Sequence, residues 1–315
     1  MNEFQWWQVA VVGPLVGFVG MLGGGYWGVG CGWIVVPIML ILGFDPLTAV
    51  GIGLLQMVPS TILTVAKQAP EIGWKRGEVG RVLALPIMAG ALLTSLAGRF
   101  INEALKNRFG AAPLQWMSIV FISFIAFQTL CSRTACYNDA MPELTPRKSL
   151  IGFVSGMVTG LISSLLGVGG GIVIRPLLTS GFKVPEFHTS RIVRLMVLVT
   201  TTCGGAMYLC RPADNHLVIL LVAACVAVGG VIGFPLGAKM HRIVYDAGYA
   251  QHIHKSFASI AVIIPAATLL KIFGQMRASQ ILSGAAAVIL FVYLCSFTWY
   301  AKTHPKARVG VSGRE

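Results

Sequence analysis

Long apolar runs, separated by short polar stretches, cover most of this sequence. A helix that crosses the ~30 Å hydrocarbon layer of a bilayer needs about 20 mostly apolar residues. Apolar runs of about that length, which are candidate transmembrane helices, lie at about residues 8–27, 48–66, 79–98, 113–131, 150–167, 189–210, 216–237, 256–273 and 279–300. Basic stretches at 67–81, 99–108, 133–148 and 239–255 are predicted to be loops between them. The pattern indicates an all-α, polytopic integral membrane protein.

Two further apolar runs, 33–42 and 171–181, are too short to cross a membrane. Ten residues of helix rise about 15 Å, which is half of the hydrocarbon thickness. Each run directly follows a glycine cluster, formed by Gly28, Gly30 and Gly32 in the first case and by Gly167, Gly169, Gly170 and Gly171 in the second. We therefore predict two half-helices that begin at broken, glycine-rich turns inside the membrane.

The sequence repeats itself, because Gly28 aligns with Gly167 and Pro37 with Pro176 at one offset of 139 positions. Gly90 and Gly98 align with Gly229 and Gly237 at the same offset, so a duplicated unit is the natural interpretation. The predicted organisation is a transmembrane repeat at 8–131, a second repeat at 150–273, an extra transmembrane helix at 279–300 and a basic cytoplasmic tail at 301–315.

The relative orientation of the two repeats has two solutions. If the first helix and the half-helix of each repeat form a re-entrant hairpin, three spans remain and the repeats are inverted. If the first helix spans, the repeats are parallel. Lysine and arginine counts in alternate loops come out nearly equal, so the positive-inside rule does not decide. Broken helices at a repeat interface are typical of transporters, which favours the inverted arrangement.

Composition supports a membrane protein without a separate soluble domain. The chain has 315 residues, of which 56% are hydrophobic and only 11% are charged, against about 25% charged residues in soluble domains. The formal net charge is +13, but the basic residues lie mostly in loops and in the tail. Contact with lipid headgroups therefore accounts for them, and nucleic acid is not an expected partner.

The glycine clusters are candidates for binding a small anion. A helix that begins at glycines presents unpaired backbone N–H groups and about half a positive charge, which together attract oxyanions. The predicted substrate-binding residues of the clusters are Gly28, Gly30, Gly32, Gly169, Gly170 and Gly171. Close packing of helices on small residues is the alternative explanation for the same glycines.

Three arginines lie in or beside apolar runs and are the candidate side-chain ligands. Arg175 lies one turn into the second half-helix, where its counterpart in the first repeat is Val36. It is predicted to hold an oxyanion with its guanidinium fork, although a side chain that snorkels to the interface is the alternative. Arg191 and Arg194 share a helical face that continues towards Thr201, and headgroup contact is their alternative role.

Two further polar residues complete the candidate site. Gln56 belongs to a polar stripe on an apolar helix, so it is predicted either to line the substrate path or to hydrogen-bond between helices. His188 is the candidate for proton coupling because histidine titrates near neutral pH, although a helix cap or a solvent contact would also explain it. No cofactor or metal is predicted, since the seven cysteines show no metal spacing and no Walker A motif is present.

The glycine clusters and the residues that follow them resemble the TauE/SafE sulfite-exporter family. The matching positions are Gly28, Gly30, Gly32, Pro37, Gly43, Phe44, Leu47, Ala49, Val50 and Gly51 in the first copy, and Gly167, Gly169, Gly170, Gly171, Pro176, Gly181 and Phe182 in the second. The chain departs from the family pattern at Cys31, at Gly53 and at 188–192. The resemblance implies secondary transport of small sulfur-containing or organic anions, such as sulfite or sulfonates, across a bacterial inner membrane.

Two other classes of function remain open at this point. An anion channel would use the same residues without alternating access. A membrane enzyme that handles sulfur through Cys31 is the weaker alternative, because the helices contain no paired catalytic His, Asp or Glu. The expected partners are a small anionic substrate and the lipid bilayer, and the oligomeric state stays open.

Overall fold

The computed structural model describes residues 6–75, 77–110, 112–131, 143–210 and 216–305, and these residues contain helices and turns but no β-strand. The α-helices are α1 (Trp6–Trp27), α2 (Gly32–Ile41), α3 (Pro46–Leu55), α4 (Val58–Gln68), α5 (Leu85–Phe109), α6 (Ala112–Cys131), α7 (Pro146–Leu166), α8 (Gly171–Pro176), α9 (Glu186–Leu209), α10 (His216–Asp246), α11 (Ala250–Ala261), α12 (Ile263–Ile272) and α13 (Met276–Thr303). A 3₁₀ turn (Ala69–Ile72) follows α4, and π-helical segments precede α5 (Gly80–Ala84) and follow α8 (Leu177–Gly181). Most of the predicted tail lies outside the described residues.

Within the described ranges, 8 helical stretches are long and apolar enough to cross a membrane. They are Val9–Trp27, Pro46–Ile72, Gly80–Phe109, Pro146–Leu166, His188–Leu209, His216–Asp246, Lys255–Ile272 and Met276–Thr303. Large apolar side chains such as Val11, Ile232 and Trp299 are exposed on their outer faces, where a bilayer would cover them. The prediction of an all-α, polytopic membrane protein is confirmed.

Several predicted boundaries were wrong. The predicted helix at 48–66 is interrupted at Gln56 and Met57, because Pro59 has no N–H to continue the helical hydrogen bonds. The predicted loop at 99–108 is part of α5, and most of the predicted loop at 239–255 belongs to α10 and α11. Both helices extend beyond their apolar runs, so their basic ends were mistaken for loops.

Each short helix folds back along the long helix before it. Gly20 of α1 lies against Ile34 and Val35 of α2, so the two helices form an antiparallel hairpin with the first glycine cluster at its tip. The second hairpin consists of α7 and α8, and Gly170 at its tip lies against Thr159 and Ser163. The short helices α2 and α8 have 10 and 6 residues, so neither is long enough to cross a bilayer.

Each hairpin packs against a long helix of the other predicted repeat, at a distance that only glycine permits. A Cβ at Gly229 of α10 would overlap the carbonyl oxygen of Pro14 in α1. The α5–α7 pair has the same contact 139 positions away, where a Cβ at Gly90 would overlap the carbonyl oxygen of Phe153. Such close crossings are typical of membrane helices packed on small residues. The boundaries of the two repeats remain a prediction.

The segment α3–α4 and helix α9 occupy corresponding places in the predicted repeats and run in opposite directions. Near the start of α9, Arg194 Nη1 donates a hydrogen bond to Gln68 Oε1 at the end of α4 (2.6 Å). Near the end of α9, Gly205 lies against Leu55 of α3, and Tyr208 lies against Gly51. The two segments are therefore antiparallel neighbours along most of their length.

We expect Gly229→Ala to destabilise the protein, because the new methyl group would overlap the backbone of α1. Forcing extra atoms into a packed interface costs about 1–3 kcal/mol. Gly284→Ala on α13 is the matched control, since nothing lies within 4 Å of a Cβ there. In that open helical position alanine should stabilise by up to about 1 kcal/mol.

Thermal unfolding of both variants in detergent measures the difference. A Gly229→Ala protein that unfolds at the same temperature as Gly284→Ala, or at a higher one, would contradict the close crossing of α1 and α10.

Candidate functional site

The tips of the two hairpins meet, which brings the two predicted glycine clusters into one place. A Cβ at Gly32 would overlap the carbonyl oxygen of Gly167, and a Cβ at Gly171 would lie 2.7 Å from the carbonyl oxygen of Val29. Both contacts join a residue of one cluster to the backbone of the other. The clusters are therefore a single, fully buried structure formed by residues that are far apart in sequence.

Positive φ angles explain why the tips contain glycine. Gly28 and Gly30 have φ values of 67° and 82°, and Gly169 and Gly170 have values of 78° and 74°. Side chains strongly disfavour this region of backbone conformation. The turns that break the helices can thus form without strain, and the chain reverses direction within a few residues.

Two apolar side chains lie close to both hairpin tips. They are Met57, between α3 and α4, and Val197 of α9. A Cβ at Gly30 would lie 3.3 Å from the sulfur of Met57 and 3.7 Å from Val197. A Cβ at Gly169 would lie 3.2 Å and 3.4 Å from the same two side chains. Sequence reasoning missed Met57 and Val197, because nothing in an apolar run marks one apolar residue as the neighbour of a broken helix.

Arg175 belongs to the second hairpin but reaches the tip of the first. A Cβ at Gly28 would lie 2.7 Å from Nη1 of Arg175, so the absence of a side chain at Gly28 makes room for the guanidinium. Arg175 is buried, with 5% of its surface exposed. Neither hairpin sequence contains an aspartate or a glutamate, so the charge that the hairpins themselves contribute is positive.

Gln56 lies at the interruption between α3 and α4 and contacts the first glycine cluster through its cysteine. Its Nε2 donates hydrogen bonds to the sulfur of Cys31 (2.8 Å) and to the carbonyl oxygen of Gly53 (3.2 Å). Both Gln56 and Cys31 are completely buried. The carbonyl oxygen of the Gln56 side chain is buried without a hydrogen-bond partner. Predicted residue Gln56 is thus placed at the hairpin tips.

Thr200, and not the predicted Thr201, makes the contact with the second glycine cluster. Thr200 Oγ1 donates a hydrogen bond to the carbonyl oxygen of Gly169 (3.1 Å). Thr201 is buried and donates to the carbonyl oxygen of Val197 in its own helix (2.7 Å). Successive residues are about 100° apart around a helix, so Thr200 and Thr201 face different neighbours. The sequence alone does not show which of the two faces the glycine cluster.

The other predicted side chains lie at one end of α9, apart from the hairpin tips. Arg191 forms an ion pair with Glu71 in the 3₁₀ turn after α4. Arg194 contacts Gln68, and its guanidinium lies 5.8 Å from the ring centre of Phe234. His188 precedes them in the first turn of the same helix. These residues therefore join α9 to α4 and to the 3₁₀ turn.

Side chains from long helices satisfy carbonyl groups where the first helix of each hairpin ends. Asn102 Nδ2 donates to the carbonyl oxygen of Leu165 (2.9 Å) and to the hydroxyl of Tyr208 (2.8 Å). At the corresponding place 139 positions away, Nδ1 of His241 lies 2.6 Å from the carbonyl oxygen of Tyr26. These bonds hold both hairpin tips in place.

A separate cleft of about 430 Å³ lies between α1, α2, α12 and α13. Its walls are almost entirely apolar and include Leu15, Ile38, Ile264 and Phe291. The cleft contains none of the predicted anion ligands and offers an anion almost no donors. It is therefore distinct from the candidate site at the hairpin tips.

Comparison with known proteins points to one family. The family model described as "Sulfite exporter TauE/SafE" matches residues 9–264. A protein of Methanocaldococcus jannaschii, described as a probable membrane transporter protein, is 26% identical over 260 residues, which cover 76% of this chain and 89% of the relative. No solved structure matches this chain. The family match ends within α12, so α13 lies beyond it.

Cys31 should resist a thiol reagent while the protein is folded, because it is completely buried at the hairpin tips. Cys210, at the end of α9, is exposed and serves as the control. We expect N-ethylmaleimide to modify Cys210 rapidly and Cys31 only after denaturation, with mass spectrometry locating the label. Equal labelling of both cysteines in the folded protein would show that the tips are open to solvent.

Proposed function

This chain belongs to the sulfite exporter TauE/SafE family and is a multi-pass membrane transporter, and from that premise we propose that it carries small sulfur-containing or organic anions by alternating access. The proposed site is the contact between the two hairpin tips. The observation that carries the proposal is the position of Arg175, whose buried guanidinium lies beside Gly28 of the opposite hairpin. The membrane that we propose is a bacterial inner membrane.

The charge at this place favours a negative solute. Burying a cation at the centre of a membrane helix costs about 2.5–3.5 kcal/mol on insertion scales, so a buried arginine in such a helix points to a function. A guanidinium binds carboxylate, sulfite or sulfonate oxygens through two parallel N–H groups. The ten-residue helix α2 begins beside it and adds the partial positive charge of a helix start.

Backbone and side-chain donors near Arg175 would complete the anion site in this proposal. The N–H groups of Gly30, Gly32, Gly169, Gly170 and Gly171 are the backbone candidates, and Gln56 and Thr200 are the nearby polar side chains. The tips are buried and closely packed, with Met57 and Val197 between them. Binding would therefore accompany a small separation of the two hairpins, which is a movement that alternating access requires.

Alternating access would follow from the way in which the two repeats meet. We propose that the repeats are inverted, and the antiparallel contact between α3–α4 and α9 supports this arrangement. At one end of that contact, Arg191 pairs with Glu71. Near the other end of α9, Arg99 Nη1 of α5 donates to the carbonyl oxygen of Tyr208 (3.2 Å). Opening either end would break one set of contacts and leave the other intact.

Arg191 and Arg194 have a different role in this proposal from the one that their sequence predicted. Their contacts with Glu71 and Gln68 close one end of the path and do not line the anion site. His188 lies in the same turn of α9 as Arg191, so it stays the candidate for coupling protons to the opening of that end. The driving force would be an ion gradient or a substrate gradient.

Replacing the arginine at the tips tests the site directly. In liposomes, we expect Arg175→Ala to abolish most sulfite or sulfonate flux, and Arg175→Lys to retain a part, because lysine keeps the charge but not the two-pronged geometry. Arg277→Ala is the control, since Arg277 is exposed at the start of α13. All variants must insert and unfold at similar temperatures.

Normal flux in a folded Arg175→Ala protein would remove Arg175 from the site. The same assay separates a carrier from a channel. A carrier saturates with substrate and is stimulated by substrate on the opposite side, whereas unsaturated flux without such stimulation would favour a channel.

A pair of glycine variants tests the space that Arg175 occupies. Alanine at Gly28 or at Gly43 suffers a similar backbone penalty, because both residues have positive φ values, 67° and 94°. Only at Gly28 would the new methyl group displace Arg175, since nothing lies within 4 Å of a Cβ at Gly43. We expect both variants to lose some thermal stability and only Gly28→Ala to lose flux. Equal flux in the two variants would contradict the proposed contact.

A further inference from the structure

Contacts at the ends of the helices define two opposite faces of the protein. The ion pair of Arg191 with Glu71 places the start of α9 beside the end of α4. The end of α9 lies beside the later part of α5, where Arg99 contacts Tyr208. We call the first face the Arg191 face and the second the Asp45 face, because Asp45 pairs there with Lys106 near the end of α5 (2.8 Å).

The remaining long helices can be assigned to the same two faces. Helix α5 starts at the Arg191 face, since Gly80 lies against Gly73 just after the 3₁₀ turn. Helix α7 runs parallel to α5, because Thr94 contacts Met157 and Asn102 contacts Leu165, so it also starts at that face.

Three further contacts assign the ends of helices α10 and α13 to the two faces. Helix α10 starts at the Asp45 face, where Ile219 lies close to Gly51, and it ends at the Arg191 face. Helix α13 starts near the end of α12, where Ser279 Oγ donates to the carbonyl oxygen of Ala267 (2.7 Å). It ends at the Arg191 face, where Tyr249 donates to the carbonyl oxygen of His304 (2.9 Å).

Lysines and arginines are unevenly divided between the faces. In the described part of the chain, the Arg191 face has ten besides Arg191 and Arg194, namely Lys67, Lys75, Arg81, Arg147, Lys148, Lys183, Lys239, Arg242, Lys255 and Lys302. The Asp45 face has five, namely Arg99, Lys106, Arg108, Lys271 and Arg277. The ratio is two to one. The near-equal counts in the predicted loops do not hold for the faces, because the stretches 99–108 and most of 239–255 are helical and not loops.

The difference in exposed positive charge is larger than the difference in number. On the Asp45 face, Lys106 is paired with Asp45, and Arg99 is buried. Lys271 Nζ donates to the carbonyl oxygen of Leu40 at the end of α2. Only Arg108 and Arg277 among the five are exposed, whereas nearly all of the ten on the Arg191 face are.

We propose that the Arg191 face is the cytoplasmic face, with its basic side chains at the anionic headgroups of the inner leaflet. Lysine and arginine are enriched on the cytoplasmic side of membrane proteins, and the rule counts these residues and not the net charge. Anionic lipids of that leaflet attract basic side chains close to the membrane surface. This proposal concerns orientation and is independent of whether anions are transported.

The orientation has four consequences for the molecule. Helix α1 begins on the outer side, since it runs parallel to α10 from the Asp45 face. Helix α13 ends in the cytoplasm. The hairpin that contains Arg175 enters from the cytoplasmic side, because α7 starts at the Arg191 face, and the hairpin that contains Cys31 enters from outside.

Cysteine labelling in sealed spheroplasts tests the orientation without removing any native cysteine. Cys210 is a native probe of the Asp45 face, because it is exposed at the end of α9. Thr303→Cys adds a probe on the Arg191 face, at the exposed end of α13. A membrane-impermeant maleimide is added before or after the membrane is permeabilised, and mass spectrometry assigns the label to each cysteine.

We expect Cys210 to be labelled in sealed spheroplasts and the cysteine at position 303 to be labelled only after permeabilisation. Arg277→Cys is a second probe of the Asp45 face and should behave like Cys210. Labelling of position 303 in sealed spheroplasts would overturn the proposal, whether or not Cys210 is also labelled, because it would show the reverse orientation or a mixture. Protection of both Cys210 and position 277 until permeabilisation would overturn it as well.

Discussion

Backbone hydrogen bonding at the buried ends of the hairpin helices is the constraint on which this structure depends. A helix that ends in the buried interior of a protein leaves carbonyl groups without water, and each must find a partner within the protein. The partners here are side chains of the surrounding long helices. Asn102 and Tyr208 donate to the carbonyl groups of Leu165 and Ser164 at the end of α7, and Thr200 donates to that of Gly169. These bonds serve the second hairpin, and in the first hairpin Nδ1 of His241 in α10 lies 2.6 Å from the carbonyl oxygen of Tyr26.

The same constraint explains the close helix crossings. Side chains of α5 and α10 can reach the hairpin ends only if those helices lie directly against α7 and α1, and the glycines at the crossings permit that distance. Glycine therefore serves two purposes in this chain. At the hairpin tips it allows positive φ angles, and along the crossings it allows backbones to touch. The two uses depend on each other, because a wider crossing would leave the hairpin ends unbonded.

The division of charged residues gives the two ends and the centre of the protein different roles. Arg175 lies where the two hairpin tips meet, whereas Arg147, the other arginine of the second hairpin, lies in the first turn of α7. Arg191, Arg194 and Arg99 lie nearer to the ends of α9 and join helices through polar contacts. In the function proposed above, a solute is held at the hairpin tips and the path opens at the ends of the helices, so the two tasks would fall to different arginines.

The sequence by itself determined the membrane class, the helical fold, the short helices after the glycine clusters and the family, because hydrophobic length and glycine spacing are local properties of the chain. It also marked Arg175 and Gln56, since polar residues are conspicuous in apolar runs. Only the tertiary structure decided that the two glycine clusters meet, that Thr200 and not Thr201 contacts Gly169, and that Arg191 pairs with Glu71. These are contacts between residues distant in sequence, and the packing of whole helices, which no local pattern encodes, selects them.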